Sequence, residues 1–147
     1  MSKRSVNLLR GQMSPVMEMA GQRVPTMAIS EDTTLTAGDS GKVIFLDGSS
    51  AGVEVTLPAA ASGLTFTFFL VVAGNDIDII QSAAAEDFVG SITAHNGIKT
   101  ADTGDTLVRF DTSATPLPGD WVKLTCYNDD DWYVMGNSNT TAAVVFV

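Results

Sequence analysis

One cysteine, one histidine and no long apolar run: the scarcities of this 147-residue sequence exclude more than its abundances suggest. The lone thiol, Cys126, rules out an internal disulfide framework. The longest runs free of polar residues and glycine are six residues, 68–73 and 142–147, against about 18 for a membrane-spanning helix, so no transmembrane helix is expected. Lys3 and Arg4 precede Leu8 and Leu9 as in a signal peptide, but Arg10 and Gly11 end the apolar stretch. A secretory signal needs an apolar core of about seven residues, so no export signal is expected. With so few groups able to donate protons or attack, and no phosphate-loop pattern, composition disfavours an enzyme and gives no reason to expect a cofactor. The length suits one domain with one core. A domain of this size hides roughly 70% of its unfolded surface, so it needs neither disulfide nor metal to hold it together.

Basic residues are also scarce, 8 against 17 acids, for a net charge of −9. They are unevenly placed. Residues 1–30 hold Lys3, Arg4, Arg10 and Arg23 against Glu18, a balance of +3, which leaves 4 bases and 16 acids, or −12, for the remaining 117 residues. An acidic body repels phosphate backbones, and four scattered bases do not make the dense patch that nucleic-acid binding requires. Nucleic acid is not an expected partner.

Residues 1–29 hold five of the six methionines, Met1, Met13, Met17, Met19 and Met27, with Gly11, Pro15, Gly21 and Pro25 spaced through them. Gly and Pro at that density interrupt any helix. The pattern Gly11-Gln12-x-x-Pro15-x-Met17 recurs as Gly21-Gln22-x-x-Pro25-x-Met27; two copies fall short of a repeat architecture, and either coincidence or two similar extended segments accounts for them. The stretch is expected to be an extended arm whose methionines can adapt to apolar pockets. Residues 30–147 form the expected body.

From residue 33 onward the pattern is that of strands. Segments 43–46, 53–57, 65–72, 77–81, 106–110, 121–127, 132–136 and 143–147 are short and rich in β-branched and aromatic residues. Between them stand Asp47-Gly48, Gly74-Asn75-Asp76, Asn96-Gly97, Thr103-Gly104-Asp105 and Asn128-Asp129-Asp130-Asp131, residue types that tight turns favour. Only 59–62 and 82–87 invite a helix, and each is short enough for one turn at most. The expected fold is all-β, an antiparallel β-sandwich or jelly-roll-like barrel with an extended N-terminal arm.

Alternation assigns faces. Val122, Leu124 and Cys126 fall on the core side of 121–127, with Trp121, Lys123, Thr125 and Tyr127 opposite. After the turn, Trp132 and Val134 share one face, Tyr133 and Met135 the other, so one aromatic face is available to another subunit. Segment 65–72 ends apolar on both faces and so calls for cover on both. The closing run through Val145 and Phe146 would be an aggregation hazard if left exposed, and is expected to pair in its own sheet or with a neighbouring copy.

These residues resemble a known family. Leu35-Thr36-Ala37-Gly38-Asp39-Ser40-Gly41-Lys42, then Val55-Thr56-Leu57-Pro58 with Gly63-Leu64-Thr65-Phe66-Thr67-Phe68, and Gly119-Asp120-Trp121-Val122 with Trp132-Tyr133-Val134 resemble the head decoration (cement) proteins of tailed bacteriophages. The resemblance covers roughly residues 33–136 and leaves out the arm. It implies a trimeric β protein without catalytic residues, on the outer capsid surface over capsomer junctions. The major capsid protein is then the partner, and the host cytoplasm the place of synthesis. Similar patterns occur in β domains of phage tail fibres, which makes a fibre or spike domain binding host glycans the alternative.

The residues able to carry chemistry have plainer readings. Cys126 and His95 are a poor nucleophile and base, one on the core side of a strand and the other beside a turn. Asp129, Asp130 and Asp131, like Asp76 and Asp78, lack the ligand spacing of a calcium loop, and a solvated turn suits the first three better. Trp121, Tyr127, Trp132 and Tyr133 suit core or subunit packing better than a sugar platform; with Val145 and Phe146 they form the expected oligomer interface. The expected capsid-binding set lies in the arm: Lys3, Arg4, Val6, Leu8, Leu9, Arg10, Met13, Met17, Met19, Arg23 and Met27.

Overall fold

A computed structural model describes residues 23–83 and 86–147. Among them, twelve strands form two packed sheets. The larger holds β1 (Thr26–Ile29), β3 (Val43–Asp47), β5 (Thr65–Val72), β7 (Asp87–Ala94), β8 (Gly97–Thr100), β10 (Trp121–Cys126) and β11 (Asp131–Ser138), in the order β1-β3-β5-β10-β11-β7-β8. The smaller holds β2 (Thr33–Thr34), β4 (Val53–Thr56), β6 (Ile77–Ile80), β9 (Leu107–Phe110) and β12 (Val144–Phe146), in the order β12-β9-β6-β4-β2. The only helical pieces among the described residues are 3₁₀ turns at Ala37–Asp39 and Thr112–Ala114; neither 59–62 nor the described part of 82–87 contains one.

The fold is the expected all-β sandwich, but its strands pair in both directions. From β1 to β7 the chain alternates between the sheets. A chain that crosses over and back returns running the same way, so β1, β3 and β5 are mutually parallel, as are β2, β4 and β6. The later part supplies the antiparallel pairs, including the β10–β11 hairpin and the β7–β8 hairpin. Alternation of apolar and polar residues reports which face is buried and not which way a neighbour runs.

One core fills the space between the sheets. Ile44, Leu46, Phe66, Phe68, Val122, Leu124 and Trp132 from the larger sheet meet Val55, Ile77, Ile79, Val108 and Phe110 from the smaller. Two carboxylates are buried beside it. Glu86 accepts from Ala60 N (2.6 Å), Ser82 N (3.1 Å), Ser82 Oγ (2.9 Å) and Trp132 Nε1 (3.4 Å). Asp120 accepts from Leu117 N, Asn139 N and Asn139 Nδ2 at 2.7–3.0 Å and ties the start of β10 to the segment after β11. A buried carboxylate is tolerable only with such a full set of donors.

Several expectations shift. Thr26–Ile29, expected within the arm, is the edge strand of the larger sheet, so the body starts before residue 30. Met27 lies in that strand, and its half-buried side chain packs against the chain's own core. Trp132 is fully buried, 5.8 Å from Phe66 between ring centroids, and is a core residue rather than an oligomer contact. Phe146 likewise packs partly against the core. The closing run pairs in its own sheet: β12 lies against β9, and Val147 exchanges backbone hydrogen bonds with Leu107 at 3.1 Å each way.

Candidate docking surface

Of the acids weighed as cation ligands, Asp76, Asp78 and Asp131 are engaged within the protein. Asp78 takes a bidentate pair from Arg109 at 2.7 Å on both oxygens, which pushes the guanidinium pKa further up. Asp76 accepts from Thr112 N and Oγ1, and these bonds hold its carboxyl below the usual range. In the turn between β10 and β11, Asn128 organises the backbone by accepting from Asp130 N and Asp131 N, while its amide donates to Asp131 Oδ2 at 2.8 Å; Asp129 and Asp130 are exposed. Among the described residues no three His, Cys, Asp or Glu side chains converge as a metal site. Cys126 is buried, with burial as the main cause pushing its thiol pKa up, and His95 is exposed at the β7–β8 turn.

What the body does expose is the outer face of the larger sheet. Its register lays side chains in rows. One row runs Phe45, Phe69, Trp121, with ring centroids 6.2 Å and 6.3 Å apart. The next runs Thr26, Val43, Thr67, Lys123, Met135, Ser91. The third runs Thr65, Thr125, Tyr133, Val89, with Thr65 and Thr125 hydroxyls 3.1 Å apart. Tyr127 follows β10 on the same side and meets Tyr133 edge to face at 6.4 Å.

Met135 is 58% exposed and Tyr127 76%; Phe45, Val71, Val89 and Tyr133 are also open to solvent. Taking about 150–250 Å² for a whole large side chain, these residues together expose on the order of 500 Å² along the face, with Thr67, Lys123 and Thr125 between them. The far end of β5, expected to need cover on both faces, is uncovered at Val71 and Val72 within the single chain. Val89, Lys123, Thr125, Tyr133 and Met135 surround a hollow of about 230 Å³. Its floor depends on Gly90, where a Cβ would stand 2.1 Å from Val134 O.

Of the expected oligomer residues, Trp121, Tyr127 and Tyr133 share this face, Tyr127 and Tyr133 in contact and Trp121 at its other end beside Phe69. Val145 lies apart, in β12 of the other sheet. Of the arm residues, Lys3, Arg4, Val6, Leu8, Leu9, Arg10, Met13, Met17 and Met19 lie outside the described residues, as does the first copy of the Gly-Gln pattern; Arg23 is exposed beside β1. Sequence reasoning placed Met135 beside Tyr133 on this face but missed Phe45 and Val89 as members of the surface. Phe45 stands between buried neighbours in a segment already recognised as a strand, so alternation could have found it; Val89 could not be placed without β7. Comparison with known families, curated proteins and solved structures found no match.

Proposed function

We propose that the chain is a structural virion protein, a decoration (cement) protein that binds the outer capsid of a tailed bacteriophage as a homotrimer and strengthens capsomer junctions through its N-terminal arm. The observation that carries the reading is the exposed apolar outer face of the larger sheet on a body whose buried acids, Glu86 and Asp120, and thiol serve the interior. Such a surface is made for association. The sequence resemblance supplies the context, and fold alone does not decide function. On this reading the partners are the major capsid protein and further copies of the chain, there is no catalytic step, and no cofactor is used. Electron microscopy of the virion that carries this protein tests it: density of the sandwich in threefold groups on the outer shell is expected, and density on the tail would overturn it.

The second reading, a fibre or spike domain binding host glycans, is favoured by one feature. Tyr127 and Tyr133 stand exposed beside the hollow and its Lys123 and Thr125, an apolar platform with polar groups at its edge. A glycan array separates the two, since the decoration reading expects no sugar bound.

A further inference from the structure

Among the described residues Tyr127 is the most exposed large apolar side chain, and the hollow lies on the same face. Tyr127 does not reach its own hollow: Thr125 and Tyr133, which line it, stand in the row between. From Tyr127 back to Lys123, on the hollow's far side, the chain runs roughly 13 Å at about 3.3 Å per residue. The hollow's volume of about 230 Å³ exceeds the roughly 150 Å³ of an apolar cavity that takes up benzene. Its walls suit an aromatic ring. Met135 offers a thioether to a ring edge, Lys123 an ammonium to a ring face, and Val89 and Tyr133 apolar packing.

Charge is sorted along the same line. The three outward rows hold no acid, although residues 31–147 sum to −12, and Lys123 is their one charge. Beside Tyr127 the sign reverses: Asp129 and Asp130 are exposed in the turn, and Asp131 and Asp87 stand as register partners at the starts of β11 and β7. A basic hole and an acidic knob on one face attract when a second copy presents the knob. The rows span roughly 29 Å across the seven strands and roughly 20 Å along them. That is on the order of 600 Å², approaching the roughly 800 Å² that each partner gives to a standard interface.

We propose that the outer face of the larger sheet binds a second copy of this chain: Tyr127 of one copy enters the hollow of the next between Lys123 and Met135, and the receiving Lys123 meets the acids of the entering β10–β11 turn. A knob and a hole displaced along one face join two copies reciprocally or several in a closed ring. The inference deepens the proposed homotrimer by naming its contact, and it rests on that reading for the number of copies alone.

Sedimentation velocity and disulfide trapping on the full-length protein test it. Tyr127→Ala removes an exposed side chain and leaves the core intact; Glu54→Ala, on the exposed outer side of the smaller sheet, is the control. At low micromolar concentration the parent and the control are expected to sediment as trimers, and Tyr127→Ala to dissociate at least tenfold more readily with its cooperative unfolding transition kept. Asp129→Cys combined with Met135→Cys, oxidised as a mixture of isotopically light and heavy chains, is expected to link 129 to 135 between chains and to lose that linkage when Tyr127→Ala is added; native Cys126 is buried. Within one chain the run from Asp131 to Met135 alone holds the two positions roughly 13 Å apart. Two-copy assemblies with the same sensitivity would uphold the contact and overturn the count of three. A trimer indifferent to Tyr127→Ala and without 129-to-135 linkage would overturn the contact and leave the trimer standing. A monomeric parent would overturn both and leave the hollow to another ligand, such as the sugar of the second reading.

Discussion

The indole N–H of Trp132 donates to Glu86 Oε2 across 3.4 Å in the interior, and the same carboxylate holds Ala60 N and both donors of Ser82. One side chain therefore ties the segment before β7 to the loop after β4 and to β11. Removing it leaves buried donors without partners, each costing about 1–3 kcal/mol. Glu86→Ala is expected to lower stability by about 2–4 kcal/mol in urea unfolding, and Trp132→Phe by less. An effect of Glu86→Ala within experimental error would show that water replaces the carboxylate.

Gly90 permits β7 to lie against β11. Its φ is +138°, and a Cβ there would fall 2.1 Å from Val134 O, a backbone atom that cannot step aside. Gly90→Ala is expected to cost more than about 3 kcal/mol or prevent folding. Gly41, at φ +85° with no atom within 4 Å of where a methyl group would stand, is the matched control: Gly41→Ala should cost only about 1 kcal/mol. Similar melting temperatures for the two variants would contradict the packing account.

Asp39 receives Lys42 Nζ at 2.5 Å and Thr36 N and Oγ1 at 2.9 and 2.8 Å, and these bonds lower its pKa to about 2. A depressed carboxylate contributes stability that is present above its unfolded value, about 3.9, and is lost as pH falls through the folded value. The pair is near the surface, so its worth is expected to stay below about 1 kcal/mol. Asp39→Asn should be slightly less stable than the parent at pH 7, and the difference should close between about pH 4 and pH 2. Denaturation midpoints measured across that window check the sign; a difference that persists unchanged at pH 2 would contradict it.

Cys126 is 2% exposed, and burial raises its thiol pKa. Both hinder reaction, because the thiolate is the nucleophile. Labelling by a thiol reagent at pH 8 should be slow in the native protein and rapid in urea. Fast labelling without denaturant would place the thiol outside the core.

The strands and their faces were readable wherever alternation ran uninterrupted. All eight expected segments are strands, and Val122, Leu124 and Cys126 are buried as the pattern required. The stretch that forms β7 was hidden by Gly90, which breaks the apolar alternation of Phe88, Ile92 and Ala94 at an inward position. β1 was hidden by Pro25 and by the methionine-rich composition it shares with the residues before it. Strand direction was not readable, because parallel and antiparallel neighbours impose the same two-residue period. Trp132 and Tyr133 show the limit for the candidate surface: alternation set them on opposite faces yet both were expected in the interface, whereas Trp132 packs inward on Phe66 and only Tyr133 turns outward to Tyr127.

Central to the proposed function is that the arm, and not the acidic body, grips the shell. Because β1 belongs to the sheet, the informative truncation removes residues 1–22 and keeps Thr26–Ile29. Full-length and truncated protein, each checked for a cooperative unfolding transition, are sedimented with undecorated capsids of the virion that the proposal assigns it to. Saturable co-sedimentation is predicted for the full-length protein, and binding at least tenfold weaker, or absent, for the truncated one. Undiminished decoration by the truncated body would contradict it.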